Sequence, residues 1–391
     1  MKILWITSKF PPEVGGVQRY VFNYAFNMAD GTSVVLCPTS QDHMAGDVDA
    51  QMSSRNHRVY RRTCVRNDMG VLAHLQHPVQ FIKFCWIVHR LIKSEHISVV
   101  IMGHISFYLL TAVWVLKLIS KVPFVLTFHG EDIPVIQMKS NKLLRSLIWR
   151  TDSFMCNSLF THDRLNRFLG RMKTYIIAYP GVEERFFQEA DQDNANTFLV
   201  NGKTILYTVG RLDKRKGHDL VISILPEIIK RYPDIIYLIA GSGANLASLE
   251  HEVEKHNLNE YVKFLGFVPD ADLPKLHAAG DIFVMPNRIL DDGDTEGFGI
   301  VFLEASSSHK PVIGGKAGGA VEAIQDTFSG YLVNPYEREE LLQKIIFLLS
   351  NQEAIHTMGL NGFHRAQNNY RWPLLCNKLY SELGKLINQN T

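Results

Sequence analysis

The chain has 391 residues, 46% of them hydrophobic and 20% charged, with a net charge of +2. That length favours two domains with sizeable cores, and so small a net charge gives no ground for a nucleic-acid partner. The five cysteines are scattered, odd in number and without a CxxC pair, which argues against a zinc or disulfide framework and suits a reducing, cytoplasmic compartment.

KILWIT opens the chain as a short strand, and its apolar run is too short for a signal peptide. A glycine-containing loop, the helical stretch VQRYVFNYAFNMA and the strand SVVLC follow. Ile97–Ser120 (ISVVIMGHISFYLLTAVWVLKLIS) is long and apolar enough to resemble a membrane span. Gly103 and His104 interrupt it, and strand–helix alternation continues on both sides. It is therefore expected as a buried strand and a buried helix. FVLTF and SFMCNS are the next strands. After residue 200 the order restarts with TILYTVG, IIYLIAG, VKFLG, DIFVMP and PVIGG, separated by helical patterns. Continuous apolar strands between helices predict parallel sheets covered on both faces. Two such series predict an α/β protein of two doubly wound domains. The polar, aperiodic segment Gln188–Gly202 is the candidate linker, with domains at 1–187 and 188–371.

Charge is uneven. Residues 1–200 hold 22 Lys and Arg against 16 Asp and Glu, and residues 201–391 hold 19 against 23. The basic excess concentrates in Arg55–Arg66 (RNHRVYRRTCVR) and Lys139–Arg150 (KSNKLLRSLIWR). Such runs are either solvated faces or a surface that meets acidic lipid headgroups or an anionic acceptor.

In doubly wound sheets, ligands sit beyond the C-terminal strand ends, at helix N-termini. PPEVGGVQRY places Gly15 and Gly16 there. Glycine lets a backbone approach a ligand closely, and helix-start N–H groups attract phosphate; a plain tight turn fits equally well. The stretch is neither GxGxxG nor a Walker loop, which counts against dinucleotides and ATP. FHGED sets His129 at a strand end, as a site residue or a structural histidine, and Asn157 and Ser158 follow another strand. GRLDKRKGHD crowds Arg211, Lys214, Arg215 and Lys216 before a helix. Cations at a helix N-terminus are unfavourable unless an anion comes between them. A solvated charge run is the plain alternative to a diphosphate clamped by Arg211 and Lys216.

DGDTEGFGIVFLEA carries Glu296 and Glu304 around Gly297, Phe298 and Gly299. N–H groups at a helix start lack intrahelical partners, and an acid before the helix is favoured. Eight residues of regular helix span ~12 Å, beyond the roughly 5–9.5 Å between glycosidase carboxyls. The spacing suits two ends of one larger ligand. Asp292 with Asp294, and Asp270 with Asp272, form DxD pairs of a kind that can hold Mg²⁺. A basic clamp on a diphosphate makes such an ion unnecessary, so neither metal nor cofactor is expected.

Taken together, these residues resemble the retaining GT-B glycosyltransferases of family 4, with EGFGIVFLE as their E-x7-E motif. The resemblance runs through HGED, CNSLFTHDRL, PGVE, VGRLDKRKG, IAGSG, VKFLGFVPDADLPKLHAAGDIFVMP and GGAVEAI. It implies two Rossmann-like domains facing a cleft, with residues 372–391 as a helix crossing back to the first. It further implies Glu304 on the ribose and Arg211 and Lys216 on the diphosphate. Glu296 and the N–H groups of Phe298 and Gly299 would hold the donor sugar, with Gly297 between them. His129 would lie near the reacting carbon and Gly16 near the phosphate. Gly243, Phe267 and Val268 would border the diphosphate and base pockets. Two departures stand out: Glu183 in PGVE, where many relatives have Asp, and SSSHKP (Ser306–Pro311) in place of a small-residue run with glycine.

The implied reaction moves a hexose from GDP-mannose or a UDP-hexose to a glycan or lipid-linked acceptor, at the inner face of a membrane. A nucleotide-sugar epimerase, a phosphorylase with pyridoxal phosphate and a non-catalytic sugar-nucleotide module are the rival readings.

Overall fold

In the computed structural model, Ile3–Ile6 form the first strand (β1), and all four residues are buried. Leu4 and Ile6 join one apolar cluster and Ile3 and Trp5 another. A strand buried on both faces needs a continuous apolar run, which is why it reads as one in sequence. The structure describes all residues except 14, 66–76, 139–141, 171–172, 189–197, 199, 201 and 391.

Six parallel strands join β1: Ser33–Cys37 (β2), Arg58–Arg61 (β3), Val99–Met102 (β4), Phe124–Phe128 (β5), Ser153–Cys156 (β6) and Tyr175–Ile177 (β7). Their order is β3-β2-β1-β4-β5-β6-β7. The second sheet is also parallel, with Thr204–Val209 (β8), Ile235–Ala240 (β9), Val262–Gly266 (β10), Ile282–Met285 (β11), Val312–Gly315 (β12) and Gly330–Val333 (β13). Its order is β10-β9-β8-β11-β12-β13. Both sheets are doubly wound, as expected.

Three strands escape a reading based on apolar runs. β3, β7 and β13 are all edge strands. β3 reads RVYR and none of its residues is buried. Edge strands carry polar and charged residues that discourage pairing with other chains. In the stretch Arg55–Arg66, three arginines are paired within the chain, Arg62 is exposed and Arg66 lies outside the described residues. Arg55 pairs with Asp30, Arg58 with Glu95 and Arg61 with Asp49.

Ile97–Ser120 divides as expected into β4 and the helix Phe107–Leu116, which Ser106 caps by accepting from Leu109 N at 3.1 Å. Among the described residues, no helix is long and apolar enough to cross a membrane.

The chain separates into two compact units, Met1–Gly181 with Trp372–Thr391, and Val182–Arg371. The expected boundary at 187/188 falls beyond the first division, and the candidate linker lies largely outside the described residues. Helix Trp372–Asn390 lays Trp372, Leu375, Cys376, Leu379, Leu383 and Leu386 into the core that contains Trp5 and Tyr24. Trp372 meets Tyr24 edge-on at 5.0 Å.

Candidate functional site

Strand order reverses between β1 and β4 in the first sheet and between β8 and β11 in the second. Neighbouring loops diverge at such points and leave room for a ligand. The candidate residues fall in these loops or close beside them.

In the second unit, the loop after β8 forms a short 3₁₀ turn, Lys214–Lys216. The loop after β11 comes back against it, and Arg288 N donates to Arg215 O at 2.8 Å. This brings Glu296 onto the basic turn. Lys216 Nζ donates to the Glu296 carboxylate at 2.6 Å and Arg215 Nη1 at 2.8 Å. Arg215 Nε also lies 3.3 Å from Asp294 and 3.5 Å from Asp213. The side chains of Lys216 and Arg215 are 7% and 8% exposed. Burial alone would push the Glu296 carboxyl up; Lys216 and then Arg215 outweigh it and hold it at about 2. Burial opposes the Arg215 charge, but Glu296, Asp213 and Asp294 hold its guanidinium protonated above the ordinary range.

The anion that the crowded cations call for is thus supplied in part by the chain itself. Arg211 meets this cluster only at its exposed rim, through Asp213. Its side chain is 67% exposed and lies 3.7 Å from Asp213. Arg215 is the residue that sequence reasoning passed over, although it sits in the same charge run. Burial separates the two arginines, and a loop sequence does not encode burial.

The helical-rise estimate for Glu296 and Glu304 needs correction. The helix is Ile300–Ser307, so Glu296 precedes it. Gly299 caps it at φ 86°, a left-handed conformation in which a side chain would be strained. Gly297 and Phe298 complete the approach, and Phe298 is buried against Tyr370, with ring centroids 5.8 Å apart. Glu304 is buried within the helix. The SSSHKP departure is accommodated by small side chains. A Cβ on Gly362 would stand 3.1 Å from Ser306 Cβ, so the helix Gln352–Asn369 passes close by. Glu183 pairs with Arg185 at 3.0 Å.

Gly243 has a packing reason of its own, since a Cβ there would lie 2.4 Å from Leu212 O. Phe267, just after β10, is exposed, and Val268 is half-buried. Of the DxD aspartates, Asp294 faces Arg215 and Asp272 pairs with Lys275 at 2.8 Å.

In the first unit the candidates are uncharged or backbone-held. His129 follows β5 and is buried. Its Nε2 lies 2.7 Å from Gly103 O. A carbonyl only accepts, so Nε2 carries a proton and donates it. The Asp132 carboxylate accepts from His129 N at 3.1 Å, Asn157 Nδ2 donates to His129 O at 2.9 Å, and Tyr20 meets the ring edge-on at 5.0 Å. Ser158 caps the helix Leu159–Leu169 by accepting from Thr161 N at 3.0 Å. Asn157 and Ser158 therefore have structural duties. His104, which interrupts the apolar run Ile97–Ser120, lies just beyond β4. It is buried beside Ser8, with Nε2 2.8 Å from Oγ, and burial lowers its pKa to about 3. The strand-end rule that singled out His129 singles out His104 equally. Gly16 opens the helix Gly16–Asn27, and a Cβ there would meet nothing within 4 Å.

Residues 14–186 match the profile of Glycosyltransferase Family 4, and residues 189–365 match that of Glycosyl transferases group 1. The chain belongs to glycosyltransferase family 4. It is a retaining glycosyltransferase of GT-B architecture that draws on a nucleotide-diphosphate sugar. The enzyme is 27% identical to the GDP-mannose-dependent alpha-(1-6)-phosphatidylinositol monomannoside mannosyltransferase of Mycolicibacterium smegmatis, over 95% of each chain. It is 28% identical to the monoacylated-substrate counterpart of Corynebacterium glutamicum, over 97% of this chain and 96% of that one. Anabaena HepE, solved with UDP and glucose, shares the glycosyltransferase's fold with a TM-score of 0.76 at 20% identity, over 98% of this chain and 100% of its own.

Proposed function

We propose that the glycosyltransferase moves mannose from GDP-mannose to a lipid-linked acceptor, at the inner face of a membrane and without a metal ion. The donor and the acceptor class follow the GDP-mannose-dependent mannosyltransferases that it resembles from end to end. The observation that carries the reading is the Lys216–Glu296–Arg215 cluster. It holds an ionised carboxylate and two cations at the strand ends where a diphosphate would lie.

In this reading the donor diphosphate takes Lys216, and Arg211 closes on it from the exposed rim. Arg215 stays on Glu296 and keeps it ionised and in place for the sugar hydroxyls. The N–H groups of Phe298 and Gly299 hold the sugar, with Gly297 leaving room, and Glu304 takes the ribose. Phe267 and Val268 border the base, Gly243 the diphosphate, and Gly16 approaches the phosphate from the first unit. His129 Nδ1 accepts from a sugar hydroxyl near the reacting carbon. The bond from C1 to the diphosphate oxygen breaks as the acceptor oxygen bonds to C1 on the same face. The acceptor's proton passes to a diphosphate oxygen. Negative charge grows on the leaving group, where Lys216 and Arg211 are worth most.

A nucleotide-sugar panel scored by thermal shift tests the donor, because a ligand of the native state raises stability. GDP-mannose should stabilise most, and a larger shift with UDP-glucose would overturn that choice. NMR of the product should show the donor's anomeric configuration retained, and an inverted product would reject the mechanism. Activity should survive EDTA. Turnover of donor with no acceptor present would favour the epimerase reading.

A further inference from the structure

Between His77 and Gly130 the sequence has one acid, Glu95, against five Lys and Arg. Glu95 is buried and committed, accepting from Tyr60 at 2.8 Å and from Lys2 at 3.3 Å and pairing with Arg58. The helices Pro78–Ser94, Phe107–Leu116 and Lys142–Trp149 all cover the same face of the first sheet. The first packs on the second and the second on the third.

The outward stripe of Pro78–Ser94 is apolar at its start and basic at its end. Val79, Ile82 and Trp86 are exposed at helical spacing, and Lys83, Arg90 and Lys93 are exposed beside them. Arg90 lies over the Trp86 ring at 5.3 Å. On the neighbouring helix, Trp114 is exposed, and Leu118 and Ile119 just beyond it are 72% and 56% exposed. Beside them a recess of about 450 Å³ is lined by Trp149, Lys117, Arg150, Asp152 and Lys173, among others, and its one acid, Asp152, is paired with Lys117. Apolar side chains this exposed on adjacent helices call for a partner. Basic residues among them, without free acids, specify an anionic one. Trp and Leu beside Lys and Arg on an outward helix face is the composition of a helix lying in a membrane interface.

We infer that this helix layer is a docking surface for an anionic lipid bilayer. Trp86, Trp114, Leu118 and Ile119 enter the headgroup boundary, while Lys83, Arg90 and Lys93 meet its charge. The recess at Arg150 offers a place for a headgroup phosphate. Helix Pro78–Ser94 connects the parallel strands β3 and β4, so it returns along the sheet and begins on the side of the C-terminal strand ends, after which Gly16 and His129 also lie. The inference deepens the lipid-linked acceptor reading by naming the surface on which the acceptor is met. It is distinct from the basic stretch around β3, where Arg55, Arg58 and Arg61 are paired within the chain.

The test is co-sedimentation of the full chain with phosphatidylcholine vesicles, with and without phosphatidylglycerol, in the absence of donor and acceptor. Binding is expected only with phosphatidylglycerol and should weaken with salt. Each basic residue near such a surface is worth about fivefold in affinity, so K83E with R90E should weaken binding at least ~20-fold. W86S with L118Q should also weaken it, while transfer to a water-soluble acceptor stays unchanged. Equal binding to neutral vesicles, no binding at all, or variants that bind like the wild type would overturn the inference. So would a dimer, seen by sedimentation velocity, that W86S and L118Q dissociate. Vesicle binding without any transfer activity would leave the docking surface standing and sink the proposed reaction.

Discussion

The two units present opposite kinds of chemistry at equivalent edges of equivalent sheets. Beyond β8 and β11, two cations and three carboxylates are drawn into one cluster. Beyond β1, β4 and β5, His129 and His104 are held by a carbonyl, a hydroxyl and ring packing, with a single carboxylate, Asp132, accepting from the His129 and Gly130 backbone. Charge needs charge or water, so the second unit's loops interlock through ion pairs and stay burdened by desolvation. Uncharged groups can be buried with ordinary hydrogen bonds. The candidate residues of the second unit are thus held mainly by ion pairs, and those of the first mainly by hydrogen bonds to neutral groups and by ring packing.

The sharpest way to break this contrast is Glu296→Gln. It leaves Lys216 buried without its anion and removes the closest of Arg215's, which should destabilise the second unit by about 3–5 kcal/mol, read by urea unfolding. Because the Glu296 carboxyl is depressed from 4.5 to about 2, its contribution is complete above pH 4.5 and fades as pH falls towards 2. The variant should therefore lose less stability than the wild type across that window. A variant as stable as the wild type at neutral pH would show that the cluster is not a structural unit.

Next come the two cations of the proposed clamp. Lys216→Ala should lower kcat about 10²–10³-fold. It should also destabilise the fold, because Glu296 loses a partner. Arg211→Ala should lose a comparable factor in kcat with no change in Tm, since its side chain is 67% exposed. Near-normal turnover in Arg211→Ala would remove Arg211 from the proposed role.

Buried histidines extend the comparison to pH. Burial lowers His104 to about 3 in the first unit, and His218 to about 4 and His277 to about 3 in the second. Each stays neutral in the folded protein, while the unfolded chain takes up a proton below 6.5. Stability from each is present above 6.5 and lost as pH falls. Each adds about 1.4 kcal/mol per pH unit to the slope. His104→Gln should reduce that slope by one proton, and an unchanged slope would place the proton elsewhere.

The smallest effect belongs to Gly16→Ala. No atom of the chain lies within 4 Å of the added Cβ, so stability should change by under about 1 kcal/mol. A rise in KM for the donor at unchanged Tm would support a ligand at this helix start. An unchanged KM would return Gly16 to a turn.

Much of this molecule is legible in sequence because its physics is local. Strands such as Ile3–Ile6 and Ile235–Ala240 announce themselves because burial on both faces demands an unbroken apolar run. The glycines and acids around the start of helix Ile300–Ser307 are legible because helix ends leave unpaired N–H groups. The edge strand β3 was not legible, since an edge tolerates RVYR as readily as a loop does, whereas the edge strand β10, VKFLG, was. Nor could sequence choose between Arg211 and Arg215. Both lie in one short loop with the same charge, and only the return of the loop after β11 buries one of them against Glu296. Periodicity and composition thus determined the two parallel sheets and the loops worth watching. Which cation meets which carboxylate was decided by tertiary structure, because burial and ion pairing depend on chain segments some eighty residues apart.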